Sequence, residues 1–200
     1  RFESRGLGDV YKRQGLWKPV GFGGSNTSVF KQDSGEKLYR RSMYTFWKRT
    51  SPPPSMTTFD APDRETCQVR RARTNTPLQA LVLMNDVQFI EAARKFAERI
   101  LRSGGESDEQ RLVYAFRSIV GRRPSTEELE KLLVFQADYR QQFGQDETAV
   151  TQFLSAGESP RDESLDASDL AAWSMLAHLL MNLSETVSYT HLRAHETRTY

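Results

Sequence analysis

Apolar residues recur every three or four positions along most of the second half of the chain, which is the spacing of one face of an α-helix. Helical patterns of this kind cover the segments 87–103, 108–120, 129–143, 146–154 and 170–183. No stretch of useful length alternates apolar and polar residues as a half-buried strand does. The pattern predicts a mainly α fold, a bundle of about five to seven helices with no substantial sheet.

Capping residues mark the expected ends of these helices. Asn85 or Asp86 precedes the first long helix, and the Ser-x-x-Gln pattern at Ser107 and the Ser-x-x-Glu pattern at Ser125 are both typical of a capping box. Gly121 is placed to end the helix that starts after Ser107. The sequence therefore predicts element boundaries as well as element types.

A short helix is expected to start at Leu78, because Thr76 is a good N-cap and Pro77 a good first helical residue. Leu78, Leu81, Val82 and Met84 leave few polar positions in it. This composition predicts a helix buried on nearly all sides, with Gln79 as the polar exception.

The segment 15–77, called the front segment below, lacks such regularity. It is rich in Gly, Pro, Ser and Asn, which favour turns and irregular chain. One part, Leu38 to Lys48, places Tyr39 and Trp47 among apolar residues at helical spacing, and the three prolines 52–54 are expected to stop that helix and to precede an ordered loop. We expect this irregular segment to pack on the helical bundle as part of a single domain that spans residues 15–187.

Both ends of the chain resemble sequencing-adapter read-through. The segments 1–14 and 188–200 show neither helical nor strand periodicity, and we expect both to be foreign to the natural protein. The remainder has 22 basic and 23 acidic residues, so the sequence pI of about 8.7 comes from the two ends. A globally basic nucleic-acid-binding protein is therefore not supported.

The remaining charge is unevenly distributed. The front segment has 11 basic and 5 acidic residues, whereas residues 78–187, the helical body, have 11 basic and 18 acidic residues. This division predicts that a basic front segment packs on an acidic helical body. No apolar run approaches the length that crosses a bilayer, so no membrane span is predicted.

Two acidic residues, Asp60 and Asp63, flank Pro62 at turn positions. A short carboxylate in such a turn accepts backbone N–H bonds, and this role is favoured over acid–base catalysis or binding of a cation. Cys67 is the lone cysteine, and neighbouring arginines would favour its thiolate, but a buried and inert thiol is the favoured interpretation. It also excludes a haem attachment motif of the C-x-x-C-H type in this chain.

Histidine is absent between Gly15 and Ala177. His178 lies in an apolar helix, where a histidine is more often hydrogen-bonded in the core than a ligand. Residues 15–187 contain no second histidine, no cysteine cluster and no Ser-His-Asp set, so no catalytic residue and no metal ligand is predicted. The inventory points away from a self-contained enzyme.

An arginine cluster precedes the helix that starts at Leu78. Arg70, Arg71 and Arg73 could bind an anionic ligand together with free N–H groups at the helix N-terminus. Pairing with acids of the helical body is the favoured alternative.

Four stretches together resemble a known family. They are YRRSMYTFWKRTSPPPSMTTFDAPDRETCQVRRARTNTPLQALVLMND at 39–86, GRRPSTEELE at 121–130, GESPRDESLD at 157–166 and AAWSMLAHLLMNLSET at 171–186. The family is domain of unknown function 1553, also called the planctomycete PSD domain. The resemblance covers about Gly15 to Val187.

The resemblance implies the C-terminal domain of a large exported protein, with a periplasmic location and an upstream part that often carries a c-type cytochrome module. Haem c would then belong to the missing upstream domain, with no cofactor in this fragment. The family carries no established activity. Its diagnostic block, together with the arginine cluster, gives a candidate functional surface of Arg40, Arg41, Trp47, Asp60, Asp63, Arg64, Cys67, Arg70, Arg71, Arg73, Asn75 and Gln79.

Three functional hypotheses follow. The first is an interaction or scaffolding domain whose basic aromatic segment contacts the upstream domains of the same polypeptide or another exported protein. The second is a composite redox or polysaccharide-processing site that uses Asp60, Asp63 and Cys67. The third is an anion- or glycan-binding module that uses the arginine cluster.

Overall fold

The structure is a computed structural model of the 200-residue chain, and the chain divides into two compact units, Arg1–Val82 and Leu83–Tyr200. The residues that it describes are Gly35, Tyr39, Trp47 and Ala72, and the ranges 52–62, 66–70 and 74–187.

Helices dominate the described residues, and none of these residues lies in a β-strand. The helices are α1 (Pro54–Thr58), α2 (Pro77–Asn85), α3 (Val87–Ser103), α4 (Asp108–Val120), α5 (Thr126–Gln145), α6 (Glu147–Leu154) and α7 (Ala167–Met181). The predicted mainly α fold without a substantial sheet is confirmed. The packing of the front segment on the helical body and the assignment of 15–187 to one domain stay predictions.

The predicted caps are present where the sequence places them. Ser107 and Ser125 each accept a hydrogen bond from the backbone N–H three residues later, and the side chain of that later residue accepts from the cap N–H. The side chain of Asp86 accepts from the backbone N–H of Gln88 at the start of α3. Gly121 ends α4 with φ of 86°, in the left-handed region that favours glycine.

The unit Leu83–Tyr200 is built around α7. This helix is apolar on all sides and packs mainly on α3 and α5, with smaller contacts to α6 and α4. Trp173, Leu176 and Leu180 of α7 are fully buried, as is Ile100 of α3. The helix begins at Ala167 rather than at the predicted Leu170, because the Asp166 carboxylate accepts the N–H of Asp169 at 2.8 Å.

The unit Arg1–Val82 differs from the predictions at its prolines. The stretch from Met56 after the prolines was predicted to be a loop, and this is wrong for residues 56–58, which belong to α1. Pro54 is the first residue of α1, a position where a fixed φ is favourable and no N–H is needed. Of the helix predicted over 38–48, only Tyr39 and Trp47 are described; Tyr39 lies in a 3-10 turn and Trp47 in no regular element.

Helix α2 is not buried on nearly all sides, so that prediction is wrong. Leu78, Leu81 and Met84 are each more than half exposed, whereas Gln79 is completely buried. The apolar side chains lie at intervals of three residues, so one face of the helix carries them. The polar exception in the sequence, Gln79, therefore faces inward, as does Leu83 at 7% exposure.

Candidate functional site

Half of the predicted surface residues lie outside the described residues. Those are Arg40, Arg41, Asp63, Arg64, Arg71 and Arg73. The described half consists of Trp47, Asp60, Cys67, Arg70, Asn75 and Gln79. The structure joins Asp60 and Gln79 in one hydrogen-bond network and leaves Cys67, Arg70 and Asn75 exposed.

Gln79 is the centre of that network. Its Nε2 donates to the carbonyl oxygen of Thr58 at 2.8 Å and to Oγ1 of Thr74 at 2.9 Å, and it lies 3.5 Å from Oδ2 of Asp60. Because the side chain is completely buried, these bonds satisfy polar atoms that water cannot reach. We call Gln79, Asp60, Thr74, Thr76 and the Thr58 carbonyl the Gln79 network.

Gln79 also takes part in the cap of α2. Its Oε1 accepts the backbone N–H of Thr76 at 3.0 Å, and its own N–H donates to Oγ1 of Thr76 at 3.3 Å. This is a capping box, and it confirms Thr76 as the predicted N-cap. The Thr-x-x-Gln pattern was present in the sequence and would have revealed the role of Gln79.

Asp60 accepts hydrogen bonds at both carboxylate oxygens. The backbone N–H of Thr74 donates to Oδ2 at 2.8 Å, and the Thr74 hydroxyl lies 2.9 Å from Oδ1. Its backbone has φ of 58°, a left-handed conformation in which Asp is among the better tolerated residues. The favoured interpretation of Asp60, a carboxylate that accepts backbone N–H bonds, is confirmed.

The Gln79 network joins the two ends of the arginine loop, defined as residues 61–73. Between these ends, the described residues Thr66 to Arg70 and Ala72 are exposed, and Val69 reaches 104% relative exposure. Cys67 is among the exposed residues, so the prediction of a buried thiol is wrong. The loop is fixed at its base and carries little apolar packing at its middle.

Arg70 is exposed, and no ion pair to its guanidinium is present within the described part of its unit. Its pairing with acids of the helical body stays a prediction. Trp47 is partly buried.

His178 is a core residue, as predicted. It is 7% exposed, and its Nε2 lies 2.6 Å from the carbonyl oxygen of Leu83. Because a carbonyl only accepts, Nε2 carries the proton and donates. The ring therefore links α7 to Leu83 within the unit Leu83–Tyr200.

Buried charges on α3 form a second polar arrangement that was not predicted. Glu91, Arg94 and Glu98 are each less than a tenth exposed. They contact the backbone of Leu154 and, in the GESPRDESLD motif, that of Glu158, Ser159 and Asp162. We call residues 155–166, between α6 and α7, the connection loop.

Arg94 donates to the carbonyl oxygens of Leu154 at 2.6 Å and Ser159 at 2.5 Å. Glu91 accepts the backbone N–H of Ser159 at 2.8 Å, and Glu98 accepts that of Asp162 at 3.2 Å. Each charge is hydrogen-bonded, which is what makes its burial tolerable. The sequence did offer a signal for this arrangement: charged residues recur at helical spacing within α3.

A search of the described residues found no group of three or more His, Cys, Asp or Glu that could hold a metal ion. The helices in the described part of the chain are all too short or too polar to cross a membrane.

The chain matches a protein-family model. The model of PSD1, a protein of unknown function (DUF1553), matches residues 7–136, which is more than half of the chain. The chain belongs to the DUF1553 family. The predicted resemblance is thereby confirmed, and the matched range also includes residues 7–14 of the segment predicted to be foreign.

The DUF1553 match contains the Gln79 network, the arginine loop and the GRRPSTEELE stretch. The connection loop and α7 follow it in the chain. Comparisons with curated proteins and with solved structures gave no match.

Proposed function

We propose that this DUF1553 chain is an interaction domain that contacts another protein domain through the arginine loop and the first two turns of α2. The proposed docking surface consists of Val69, Arg70, Leu78 and Leu81. Its main support is exposure: Val69 is at 104%, Leu78 at 56% and Leu81 at 57% relative exposure. Leu78 and Leu81 are neighbours on one face of α2, and exposed apolar patches are a feature of protein-binding surfaces.

The Gln79 network supports the proposal because it prepares the surface before binding. The network fixes the residues on both sides of the arginine loop and the first turn of α2. A surface that is already ordered loses less conformational entropy when a partner binds. Arg70 adds a charge that favours an acidic partner and speeds association.

The partner in the proposal is the upstream part of the same polypeptide, or another exported protein. Export to the periplasm and an upstream c-type cytochrome module belong to this proposal through the family resemblance. Haem c, if present, would be bound by that upstream part.

The composite enzyme hypothesis is less well supported. Asp60 was one of its candidate groups, and both oxygens of this carboxylate already accept hydrogen bonds from Thr74. A general base needs an oxygen free to reach the substrate. The proposal therefore assigns Asp60 to the order of the loop.

Co-purification with the separately produced upstream part of the full-length polypeptide tests the docking surface. The double variant Val69→Ser plus Arg70→Ser should weaken binding at least about tenfold, because both side chains lie at the exposed middle of the loop. Gln68→Ser is the matched control, since Gln68 is also exposed in this loop. Equal retention of the double variant and the control would contradict the proposal.

Glycan binding is the second candidate, and it is favoured by the exposed guanidinium of Arg70. A sulfated oligosaccharide should bind the isolated chain in a salt-sensitive way, whereas a neutral one should not. Arg70→Gln should abolish that binding and Val69→Ser should leave it unchanged. Equal binding of the sulfated and the neutral oligosaccharide, or unchanged binding in Arg70→Gln, would contradict this candidate.

A further inference from the structure

One side of α4, together with the turn that follows it and the start of α5, lines an open groove of about 760 Å³. Its lining includes Val113, Tyr114 and Arg117 of α4, Arg123 of the following turn and Leu129 of α5. The groove lies wholly within the unit Leu83–Tyr200. It shares no residue with the docking surface proposed above.

The groove has the length of a short extended peptide. Its lining runs along α4 from Glu109 to Gly121. At a rise of 1.5 Å per residue this is about 18 Å, which corresponds to about five residues of extended chain at 3.3 to 3.6 Å each.

Neighbouring arginines at the end of α4 have different roles. Arg122 donates to Glu128 at 2.7 and 2.8 Å and to Glu185 at 2.9 and 3.0 Å. These bonds raise the pKa of Arg122, and the hydrogen bond from Arg122 lowers the pKa of Glu128 to about 2. Arg122 is thus fully occupied within the fold.

Arg123 is held in place by its neighbour. Nη1 of Arg122 donates to the carbonyl oxygen of Arg123 at 3.2 Å, and Gly121 supplies the left-handed turn that precedes them. The Arg123 side chain lines the groove, where no described residue forms an ion pair with it. Arg117, one turn before the end of α4, likewise has no ion-pair partner among the described residues.

Arg117 and Arg123 thus bring two guanidinium groups without an ion pair among the described residues to one groove, in a helical body where acidic residues outnumber basic ones by 18 to 11. A guanidinium binds a carboxylate through two parallel hydrogen bonds, which makes acidic groups its preferred ligands. Val113, Tyr114 and Leu129 add apolar contact area, and Glu109 places a negative charge at the opposite end of the groove.

We propose that this groove binds an extended acidic segment of a protein. Carboxylates of the segment pair with Arg117 and Arg123, an apolar residue contacts Val113, Tyr114 and Leu129, and a basic residue faces Glu109. The complementary charges at the two ends fix the direction in which the segment lies.

Fluorescence anisotropy of the full chain with a labelled peptide tests the groove. The probe is Lys-Leu-Leu-Ser-Glu-Glu, and the control probe has both glutamates replaced by glutamines. The chain should bind the glutamate probe at least about tenfold more tightly than the glutamine probe. Equal binding of the two probes, or no binding of the glutamate probe, would overturn the proposal.

The double variant Arg117→Gln plus Arg123→Gln should weaken binding of the glutamate probe by at least about tenfold. Arg161→Gln is the matched control, because Arg161 is also exposed and lies outside the groove lining. The control should bind within about twofold of the unsubstituted chain. Equal effects of the two changes would count against the groove.

A charge reversal keeps the test independent of any loss of folding. The variant Arg117→Glu plus Arg123→Glu should bind a probe of reversed charge, Ser-Leu-Leu-Ser-Lys-Lys, at least about tenfold more tightly than the unsubstituted chain does. This is a gain of binding, which an unfolded variant would not give. Failure to gain affinity in a variant whose circular dichroism is unchanged would refute the assignment of these two arginines.

Discussion

The arginine loop is tied at its two ends, whereas the connection loop is tied along its length. In the arginine loop, the Gln79 network links residues 58–60 to residues 74–79, and Val69 and Arg70 between them are exposed. In the connection loop, α3 contacts the backbone of residues 158, 159 and 162 in succession.

The difference lies in which side chains hold each loop. A buried neutral amide is the centre of the first arrangement, and it satisfies its bonds with a few groups at the loop base. Three buried charges hold the second, and each requires hydrogen-bond partners from the loop itself. A loop that supplies the partners of buried charges belongs to the core, while a loop tied at its base leaves its middle available for binding.

Substitution of Arg94 should have the largest effect on the free energy of unfolding. Arg94→Leu leaves the carbonyl oxygens of Leu154 and Ser159 without their donor, and we expect a loss of about 3 to 4 kcal/mol in the free energy of unfolding. The measurement is urea unfolding of the full chain. Arg99→Leu, an exposed arginine on the same helix, should change this free energy by less than about 1 kcal/mol, so similar losses in both variants would contradict the role of Arg94.

A methyl group at Gly157 should have the next largest effect. This residue has φ of 91°, and a Cβ atom would overlap the Glu91 carboxylate that holds the connection loop. Gly157→Ala should lower the free energy of unfolding by about 2 to 3 kcal/mol. Gly144→Ala in α5 should instead raise it by about 0.5 to 1 kcal/mol, since its Cβ would meet no atom within 4 Å. A change of the same sign in the free energy of unfolding of both variants would contradict this prediction.

Substitution of Gln79 should act locally. Gln79→Leu removes the donor to Thr58 and Thr74 and should reduce the local opening free energy by about 2 kcal/mol, which makes amide hydrogen exchange in residues 74–80 about 30-fold faster. Hydrogen exchange followed by mass spectrometry is the measurement. Gln152→Leu, at an exposed position of α6, is the control and should leave exchange in this segment unchanged. Unchanged exchange in Gln79→Leu would mean that the network does not order the loop base.

In the connection loop, acid should produce the smallest of these effects, through Asp162. Hydrogen bonds from the hydroxyl and N–H of Ser164, and then from Arg102, lower the pKa of Asp162 below its ordinary value of 3.8. A lowered folded pKa means that Asp162 contributes stability above pH 3.8 and loses it as the pH falls through the folded value.

Thermal unfolding at a series of pH values between 6 and 2 tests this. Asp162→Asn should reduce the difference in melting temperature between the ends of that series, because the variant has no proton to take up at this position. The same pH dependence in the variant and the unsubstituted chain would show that Asp162 makes no such contribution.

Local chemistry explains why the helix ends were predictable. The boxes at Ser107 and Ser125 and the caps at Asp86 and Thr76 each involve residues within three positions of one another, so the sequence contains the whole interaction. The stretch from Met56 was misassigned to a loop because a proline that can stop one helix can also begin the next, as Pro54 does in α1.

The candidate site was predictable only in part. The sequence indicated the turn role of Asp60 and the core position of His178. It did not indicate that Cys67 and one face of α2 are exposed, since apolar composition alone does not say whether a partner element covers a helix.

The sequence by itself determined the mainly α fold, the positions of the caps and the membership of the DUF1553 family, because periodicity, capping and motif identity are properties of neighbouring residues. The tertiary structure decided which polar residues are buried. Gln79 meets Thr58 across 21 positions, and Arg94 meets Leu154 across 60. Contacts over such separations depend on how the helices pack, and a single sequence does not specify that packing at the level of individual side chains.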